Sequence, residues 1–362
     1  MAENRAPCAS FPGQMIIVFR ADASLSIGTG HVVRCLALAD GLSKKGGKVR
    51  FVCRGDEGSL QDIIRRHGHA VSALPSGIDM KADSYLTFDI LEKENIRPDW
   101  LIVDHYGIDI SWEFLFRETA KKIMVIDDLA DKKHDCDILL DQNCIAHNNR
   151  YDRLVPESCI RLLGPGYALL RSQFREVREH VKVRNGAMRK ILVCMGGVDH
   201  ANVTCKILRA LAALNCPDIT IDVVIGASNP HREDIQAIVS HMPNTVSHLG
   251  VDNMAALFAE ADLAIGASGT TTWERCCLGV PSIVIILADN QKNVAEDLAR
   301  EGILINLGWH EHITEECIKN EIEKLIGNHD ERKRMGQRAK EIVDGKGVEK
   351  VVGTMISESA RI

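Results

Sequence analysis

Nowhere does the sequence approach the run of about 20 apolar residues that a membrane-spanning helix requires. Its opening, "MAENRAPCASFPGQ", also lacks the apolar centre of a secretory signal. Membrane insertion and export are therefore not expected, and a cytoplasmic location is. The twelve cysteines include no CxxC pair. Scattered along the chain, with Cys53 and Cys194 inside predicted buried strands, they read as reduced core thiols rather than a disulfide or zinc framework. The adjacent Cys276 and Cys277 read as packing residues. Positive charge is not in excess either: the formal net charge is -6 and the pI is near 6.2. That balance gives no general pull toward nucleic acid or an anionic membrane, so any phosphate chemistry must rest on a local pocket. Low-complexity segments and sequence repeats are absent, as is the Walker loop GxxxxGK[ST].

What is present fits a soluble globular chain: 362 residues, 45% hydrophobic and 26% charged. That length suits two domains. Continuous apolar runs alternate with helical patterns, beginning with "MIIVF" at 15, "KVRFVC" at 48, "WLIVD" at 100, "KIMVID" at 122 and "DILLD" at 137. Runs apolar on both faces and separated by helical stretches indicate a parallel sheet covered by helices. After the charged stretch "REVREHVKVRNGAMRK" a second series starts, with "ILVCMGG" at 191, "IDVVIG" at 221, "TVSHLG" at 245, "LAIGAS" at 263 and "SIVIIL" at 282. The expected fold is α/β, with two doubly wound Rossmann-like domains facing a cleft. The boundary is placed near residues 180–188, giving domains 1–183 and 184–362. The charged helical tail from about residue 312 is expected to pack on the second lobe. Residues 1–14 read as an extended start, with Met15 as an alternative initiator. Nothing in the pattern fixes an oligomeric state.

"SIGTGHVVRC", residues 26–35, lies between the strand "MIIVFRA" and a helix marked by Val32, Leu36, Ala39 and Leu42. Such a loop sits at the carboxyl edge of a sheet, where doubly wound folds bind ligands and helix N–H groups attract anions. Gly28 and Gly30 permit close approach of a ligand. The stretch is not the GxGxxG fingerprint, because Val33 stands where the third glycine belongs. His31 opens the helix. A helix start disfavours a charged imidazolium, so a neutral ring suited to general-base work is expected there, in preference to a purely structural histidine.

In the second half, Gly196 and Gly197 form a strand-to-helix turn whose backbone donors suit a diphosphate, or serve only as a tight turn. In "GASGTTTWERCCLG", Ser268, Gly269 and Thr270 offer N–H and hydroxyl donors, and Glu274 offers a carboxylate that could accept both hydroxyls of a ribose. The same segment also fits a capped helix with Thr at the N-cap. Asn290 and Tyr106 follow strands and have turn or loop-bonding readings as alternatives. Asp104, Asp127 and Asp128 lie at strand ends. No metal-ligand spacing accompanies them, and "IDD" reads equally well as a loop cap, so neither a metal nor a cofactor is expected.

"FRADASLSIGTGHVVRCLALADGL" closely resembles the N-terminus of the UDP-2,4-diacetamido-2,4,6-trideoxy-beta-L-altropyranose hydrolase family of pseudaminic acid biosynthesis. The resemblance continues through "DHYGID" at 104, "IDD" at 126, "CDILLDQN" at 136, "GPGYALLRSQFRE" at 164, "CMGGVD" at 194 and "GASGTTTWERCCLGVPSIVIILADNQ" at 266. It implies a relative of the glycosyltransferase-B architecture that hydrolyses a UDP-sugar, with inversion and without a metal. It further implies that His31 is the base activating water and that Tyr106 lies near sugar and water. Arg171, Glu274 and Asn290 match further family positions, and Glu274 is implied as a nucleotide contact. A nucleotide-sugar glycosyltransferase of the same fold and a non-catalytic nucleotide-sugar binding protein stand as alternatives.

Overall fold

The structure is a computed structural model that describes residues 11, 14–143, 149–181, 184 and 186–361. The extended start expected of residues 1–14 falls largely outside the described residues. The chain divides into two compact units, one of residues Met1–Leu169 with Lys346–Ile362 and the other of Leu170–Gly345.

The first unit holds seven parallel strands, β1 (Ile16–Ala21), β2 (Lys48–Arg54), β3 (Ala70–Leu74), β4 (Trp100–Asp104), β5 (Lys122–Ile126), β6 (Ile138–Asp141) and β7 (Ile160–Leu163). Their order is β3-β2-β1-β4-β5-β6-β7. The second unit holds six, β8 (Lys190–Cys194), β9 (Thr220–Ile225), β10 (Thr245–Leu249), β11 (Leu263–Ala267), β12 (Ser282–Ile286) and β13 (Ile305–Trp309), in the order β10-β9-β8-β11-β12-β13. Both sheets are doubly wound, as expected. The strand order reverses between β1 and β4 and between β8 and β11. Loops leaving the carboxyl ends there diverge to opposite faces and leave room for a ligand.

The inner strands are legible as apolar runs because both of their faces are buried. In β1, Ile17, Phe19 and Ala21 join a core with Val32, Leu38 and Met355, while Val18 joins Leu101 and Val103 in a second core. Three strands were not anticipated, "AVSAL" (β3), "IRLL" (β7) and "INLGW" (β13), and all three lie at sheet edges. An edge strand needs less apolar surface, so polar residues and glycine break its run. Cys53, Cys194, Cys276 and Cys277 are buried thiols. No helix among the described residues is long and apolar enough to cross a membrane.

Two expectations about organisation differ from the structure. The boundary expected at 183/184 falls beside residues 182, 183 and 185, which lie outside the described residues, whereas the compact units divide between Leu169 and Leu170. The tail also splits. Ile318, Ile322 and Leu325 of the helix Glu315–Gly327 pack in the second unit with Ile191 and Ile265, as expected. The final helix, Gly347–Ser359, instead returns to the first unit, where Val351, Val352 and Met355 share a core with Ile17 and Leu38. The reason is a matched surface. A Cβ on Gly41 would lie 2.4 Å from Val348 Cγ1, so glycine there lets the last helix approach the helix Gly30–Ser43 closely. Trp100 Nε1 donates to Ser359 Oγ at 2.9 Å and pins the far end.

Polar groups are buried beside the apolar core at the carboxyl ends of β5 and β6. Asp141 accepts from Asn143 N–H at 2.8 Å, and its carboxyl lies 3.1 Å from the Tyr151 hydroxyl oxygen and 3.2 Å from Arg150 Nη1. Burial above all, reinforced by Asp128 and opposed by Arg150, pushes the Asp141 carboxyl up to about 7.

Two predictions follow from this packing. Met355 is fully buried, so Met355→Ala should cost about 2–5 kcal/mol. Hydrogen exchange should then quicken in β1 and β4 while β8 and β11 keep wild-type protection; equal loss in both sheets would contradict the placement of the last helix. Asp141 titrates near 4 when unfolded. Between about pH 4 and 7 the folded chain therefore holds a proton that the unfolded chain has lost, and the stability due to this group falls as pH rises through that window. In Asp141→Asn the urea midpoint should decline less between pH 5 and 8 than in wild type, and parallel slopes would refute the assignment.

Candidate functional site

In the first unit the glycine turn closes on itself before the helix begins. Gly28 N–H donates to Ser24 O at 2.9 Å, Ile27 N–H donates to Ser24 Oγ at 3.0 Å, and Gly28 takes φ +82°, a conformation that favours glycine. The helix Gly30–Ser43 follows without a side-chain cap. Val33 N–H reaches Thr29 O, while no described residue accepts from the N–H of Gly30, His31 or Val32. This helix start keeps open donors.

His31 lies within the first turn and is buried, 7% exposed. Its Nδ1 is 2.5 Å from Asp104 Oδ1 at the end of β4. A carboxylate can only accept, so the Asp104 contact places a proton on Nδ1, which Arg34 Nη2 also approaches at 3.2 Å, and in the neutral ring Nε2 carries the lone pair. No hydrogen bond to a described residue occupies Nε2. This is the arrangement in which a carboxylate fixes tautomer and ring orientation for a base.

Asp104 is held on every side. Arg34 donates through Nε to Oδ2 and through Nη2 to Oδ1, both at 2.7 Å, and Cys35 Sγ donates at 3.3 Å. His31, Arg34 and Cys35 stand at i, i+3 and i+4 on one helix, which turns all three toward the same carboxylate. Burial, the largest influence, would raise the Asp104 carboxyl. The Arg34 guanidinium and the His31 ring outweigh it and hold the group well below the usual carboxylate range.

Tyr106 packs edge to face with His31, at a ring separation of 4.6 Å and an angle of 82°. Its hydroxyl donates to Asp128 Oδ1 at 2.8 Å. Asp128 Oδ2 accepts from Arg34 Nη1 at 3.0 Å and Asn143 Nδ2 at 2.9 Å. The two aspartates of "IDD" thus differ: Asp127 caps a loop, accepting from Leu129 and Ala130 N–H, as one reading of the motif anticipated. His105 turns instead toward Asp22, 3.4 Å away.

In the second unit the two glycine-rich turns have different fates. Gly196 takes φ +96°, a conformation that favours glycine, with open space where a Cβ would stand, and a Cβ on Gly226 would lie 1.9 Å from Gly197 O, so glycine at 226 lets that backbone pass close to the turn. At the next helix, Val203–Leu214, the first two N–H groups are satisfied within the chain. The Asp199 carboxylate accepts from Val203 N–H at 3.0 Å and from Thr204 N–H at 2.9 Å. The anion at that helix start is the chain's own side chain, which leaves fewer donors for a diphosphate than the Gly196–Gly197 turn suggests.

The segment after β11 is different. Ser268 is buried, with Oγ lacking a hydrogen-bond partner among the described residues, while Gly269 and Thr270 are half-buried. Thr270 precedes the helix Thr271–Cys277 but makes no side-chain cap. Glu274 is 3% exposed; its Oε1 accepts from Arg171 Nη2 at 2.8 Å, and its Oε2 has no partner among the described residues. Burial raises the Glu274 carboxyl above its usual range, against the pull of Arg171. Arg171 also donates to Asp252 O at 3.2 Å. An unpaired buried polar atom costs about 1–3 kcal/mol, so these orphans at the switch point make the segment a candidate place for a ligand to supply the missing partners. Asn290 is exposed on the turn Asp289–Gln291 after β12.

Sequence reasoning missed Arg275, which lies buried under this segment and donates to Ala267 O at 2.9 Å and Thr272 Oγ1 at 3.0 Å. It also missed Arg34 and the pairing of Asp104 with His31. The i+3 spacing of Arg34 was visible, but only the strand order places Asp104 beside it.

Residues 191–350 match the Glycosyltransferase family 28 C-terminal domain. Among solved structures, Acinetobacter baumannii MurG is similar at a TM-score of 0.66 and 16% identity, covering 95% of this chain and 100% of that one. A Staphylococcus aureus MnaA-UDP structure is similar at 0.64 and 11% identity, covering 96% and 98%. These likenesses show the glycosyltransferase-B fold. The Bacillus subtilis spore coat polysaccharide biosynthesis protein SpsG is 26% identical over 92% of this chain and 96% of its own length. The Campylobacter jejuni UDP-2,4-diacetamido-2,4,6-trideoxy-beta-L-altropyranose hydrolase is 31% identical over 80% of this chain and 97% of its own. With that coverage and the motif order behind it, the chain belongs to the family of this hydrolase.

Proposed function

We propose that the chain hydrolyses UDP-2,4-diacetamido-2,4,6-trideoxy-beta-L-altropyranose to UDP and 2,4-diacetamido-2,4,6-trideoxy-L-altrose, a step of pseudaminic acid biosynthesis. The observation that carries this reading is the Nδ1 contact of His31 with Asp104, which leaves Nε2 as the proton acceptor. Water gives a proton to Nε2 as its oxygen bonds to the anomeric carbon. The bond from that carbon to the diphosphate oxygen breaks, and UDP leaves from the opposite face, inverting the configuration. General-base help of this kind is worth roughly 10²- to 10⁴-fold.

Open N–H groups at Gly30, His31 and Val32 suit charge growing on the departing diphosphate. UDP recognition falls to Arg171, Ser268 and Glu274. The unpaired Oε2 of Glu274 accepts from a ribose hydroxyl, and Ser268 Oγ finds a phosphate or ribose partner. Gly269 and Thr270 border the same segment, and Asn290 orients the sugar or the water. No step in this chemistry calls on a metal.

A glycosyltransferase reading has support of its own. The family 28 match covers the second half of the chain, and Ile27, Ile110 and Phe114 are exposed apolar residues of the first unit that could meet an acceptor. In that reading His31 deprotonates an acceptor hydroxyl instead of water. The two part on one measurement. Hydrolysis predicts UDP release from the UDP-sugar with no acceptor added, at a rate unchanged by chelator; release that requires an acceptor assigns the chain to transfer.

His31→Asn should keep its affinity for UDP and lose at least about 100-fold in turnover. Glu274→Ala should do the reverse at the binding step, weakening UDP by about 10-fold or more in calorimetry. Near-normal turnover in His31→Asn would remove the base from the mechanism.

A further inference from the structure

The second aspartate of "IDD" has no role in the chemistry above, yet it touches both groups that hold the base. Asp128 divides its two oxygens: Oδ1 takes the Tyr106 hydroxyl at 2.8 Å, and Oδ2 takes Arg34 Nη1 at 3.0 Å. Tyr106 stands against the His31 ring, and Arg34 grips the carboxylate that orients the same ring. The contacts close a circuit from His31 through Asp104, Arg34, Asp128 and Tyr106 back to His31.

We propose that Asp128 is a positioning residue for the His31 base, acting through Tyr106 on one side of the ring and through Arg34 and Asp104 on the other. Three features carry the assignment. The guanidinium fork is shared, with Nε and Nη2 on Asp104 and Nη1 on Asp128, so its plane is fixed by two carboxylates at once. The neighbouring Asp127 cannot substitute, because its carboxylate is committed to Leu129 and Ala130 N–H and to the Tyr151 hydroxyl. Finally, the single hydroxyl proton of Tyr106 is given to Asp128. The phenol therefore meets a ligand as an acceptor rather than as a proton donor, and it favours a sugar substituent carrying an N–H or O–H at that place.

Asp128→Asn keeps the volume but sets an NH₂ group among three donors, so either the Tyr106 hydroxyl must reverse from donor to acceptor or a contact to Arg34 or Asn143 is lost, and either change alters the hold on the ring. A base displaced by a fraction of an ångström to about 1 Å loses up to roughly 10²-fold in rate. The kinetic arm rests on the hydrolase reading: Asp128→Asn should lower kcat about 10- to 100-fold with KM within about threefold and UDP affinity unchanged. Tyr106→Phe breaks the same link from its other end, so the double variant should be little worse than the poorer single one. Wild-type kcat in Asp128→Asn, or effects that multiply in the double variant, would overturn the proposal.

A second arm does not use turnover. Ring ¹⁵N and ¹H resonances of His31 should report an Nδ1-protonated ring in wild type, and Asp128→Asn and Tyr106→Phe should both move them. Unmoved resonances in both variants sink the positioning role. If wild type releases no UDP while these resonances move, the hydrolase reading fails and the positioning role stands.

Discussion

A buried carboxylate is expensive to keep charged, and the candidate site in the first unit is built around one. Asp104 is fully buried at the end of β4, where desolvation would drive it to protonate. Arg34 prevents this by placing two N–H bonds on it, and His31 adds a third contact. Removing the guanidinium would leave a buried charge with too few partners, a kind of loss that commonly costs more than the pair itself contributes. The imidazole is thus oriented by a group that exists in charged form only because the same helix supplies its counter-ion. Sheet register completes the arrangement: Asp104 pairs with Ala21 in adjacent strands, beside the loop from which the helix Gly30–Ser43 departs.

This dependence explains what could be read from the sequence and what could not. His31 was legible because its signal is local, a histidine between glycines and the first turn of a helix. Asp104 was not legible as its partner, since 73 residues separate them and only the adjacency of β1 and β4 brings them together. Read alone, Asp104, Asp127 and Asp128 lay at strand ends without metal-ligand spacing, and "IDD" read as well as a loop cap. In the fold one orients the His31 ring, one caps a loop, and one ties a phenol to a guanidinium. The strands divide on the same principle. Runs buried on both faces announced the inner strands, whereas β3, β7 and β13 carry less apolar burial and read as connections. The last helix was misplaced because an amphipathic pattern tells that a helix packs, not on which core; glycine at 41 and serine at 359 matter only once their partners are known.

The two glycine turns make the limits of motif reading concrete. Both follow the first strand of a doubly wound unit, and both precede a helix. At the first, the helix begins without a cap and its leading N–H groups stay open. At the second, Asp199 folds back and takes the Val203 and Thr204 N–H groups, while Gly196 holds a positive φ and the turn backbone lies against Gly226. Glycine permits a close approach without saying what approaches. In the second unit the clearer mark of a ligand lies after β11, where Ser268 Oγ and Glu274 Oε2 are buried without partners. Desolvated oxygens of this kind are tolerated when function needs them, because a bound hydroxyl repays the cost left by folding.

Hydrolysis and glycosyl transfer differ in which hydroxyl meets the base, and the fold serves either. The immediate surroundings of His31 bear on how either hydroxyl would reach the ring. The ring is only 7% exposed, so whatever gives up a proton to it must be small or must present a narrow edge. Tyr106 walls one side, and its proton is already committed to Asp128, so the phenol cannot protonate a leaving group. A departing UDP needs no such help: its charge is delocalised over phosphate oxygens, and fixed donors such as uncapped helix N–H groups can stabilise it. Under the proposed hydrolysis, a buried ring, a neighbouring phenol that donates to Asp128 and a leaving group that requires no acid would each serve attack by water.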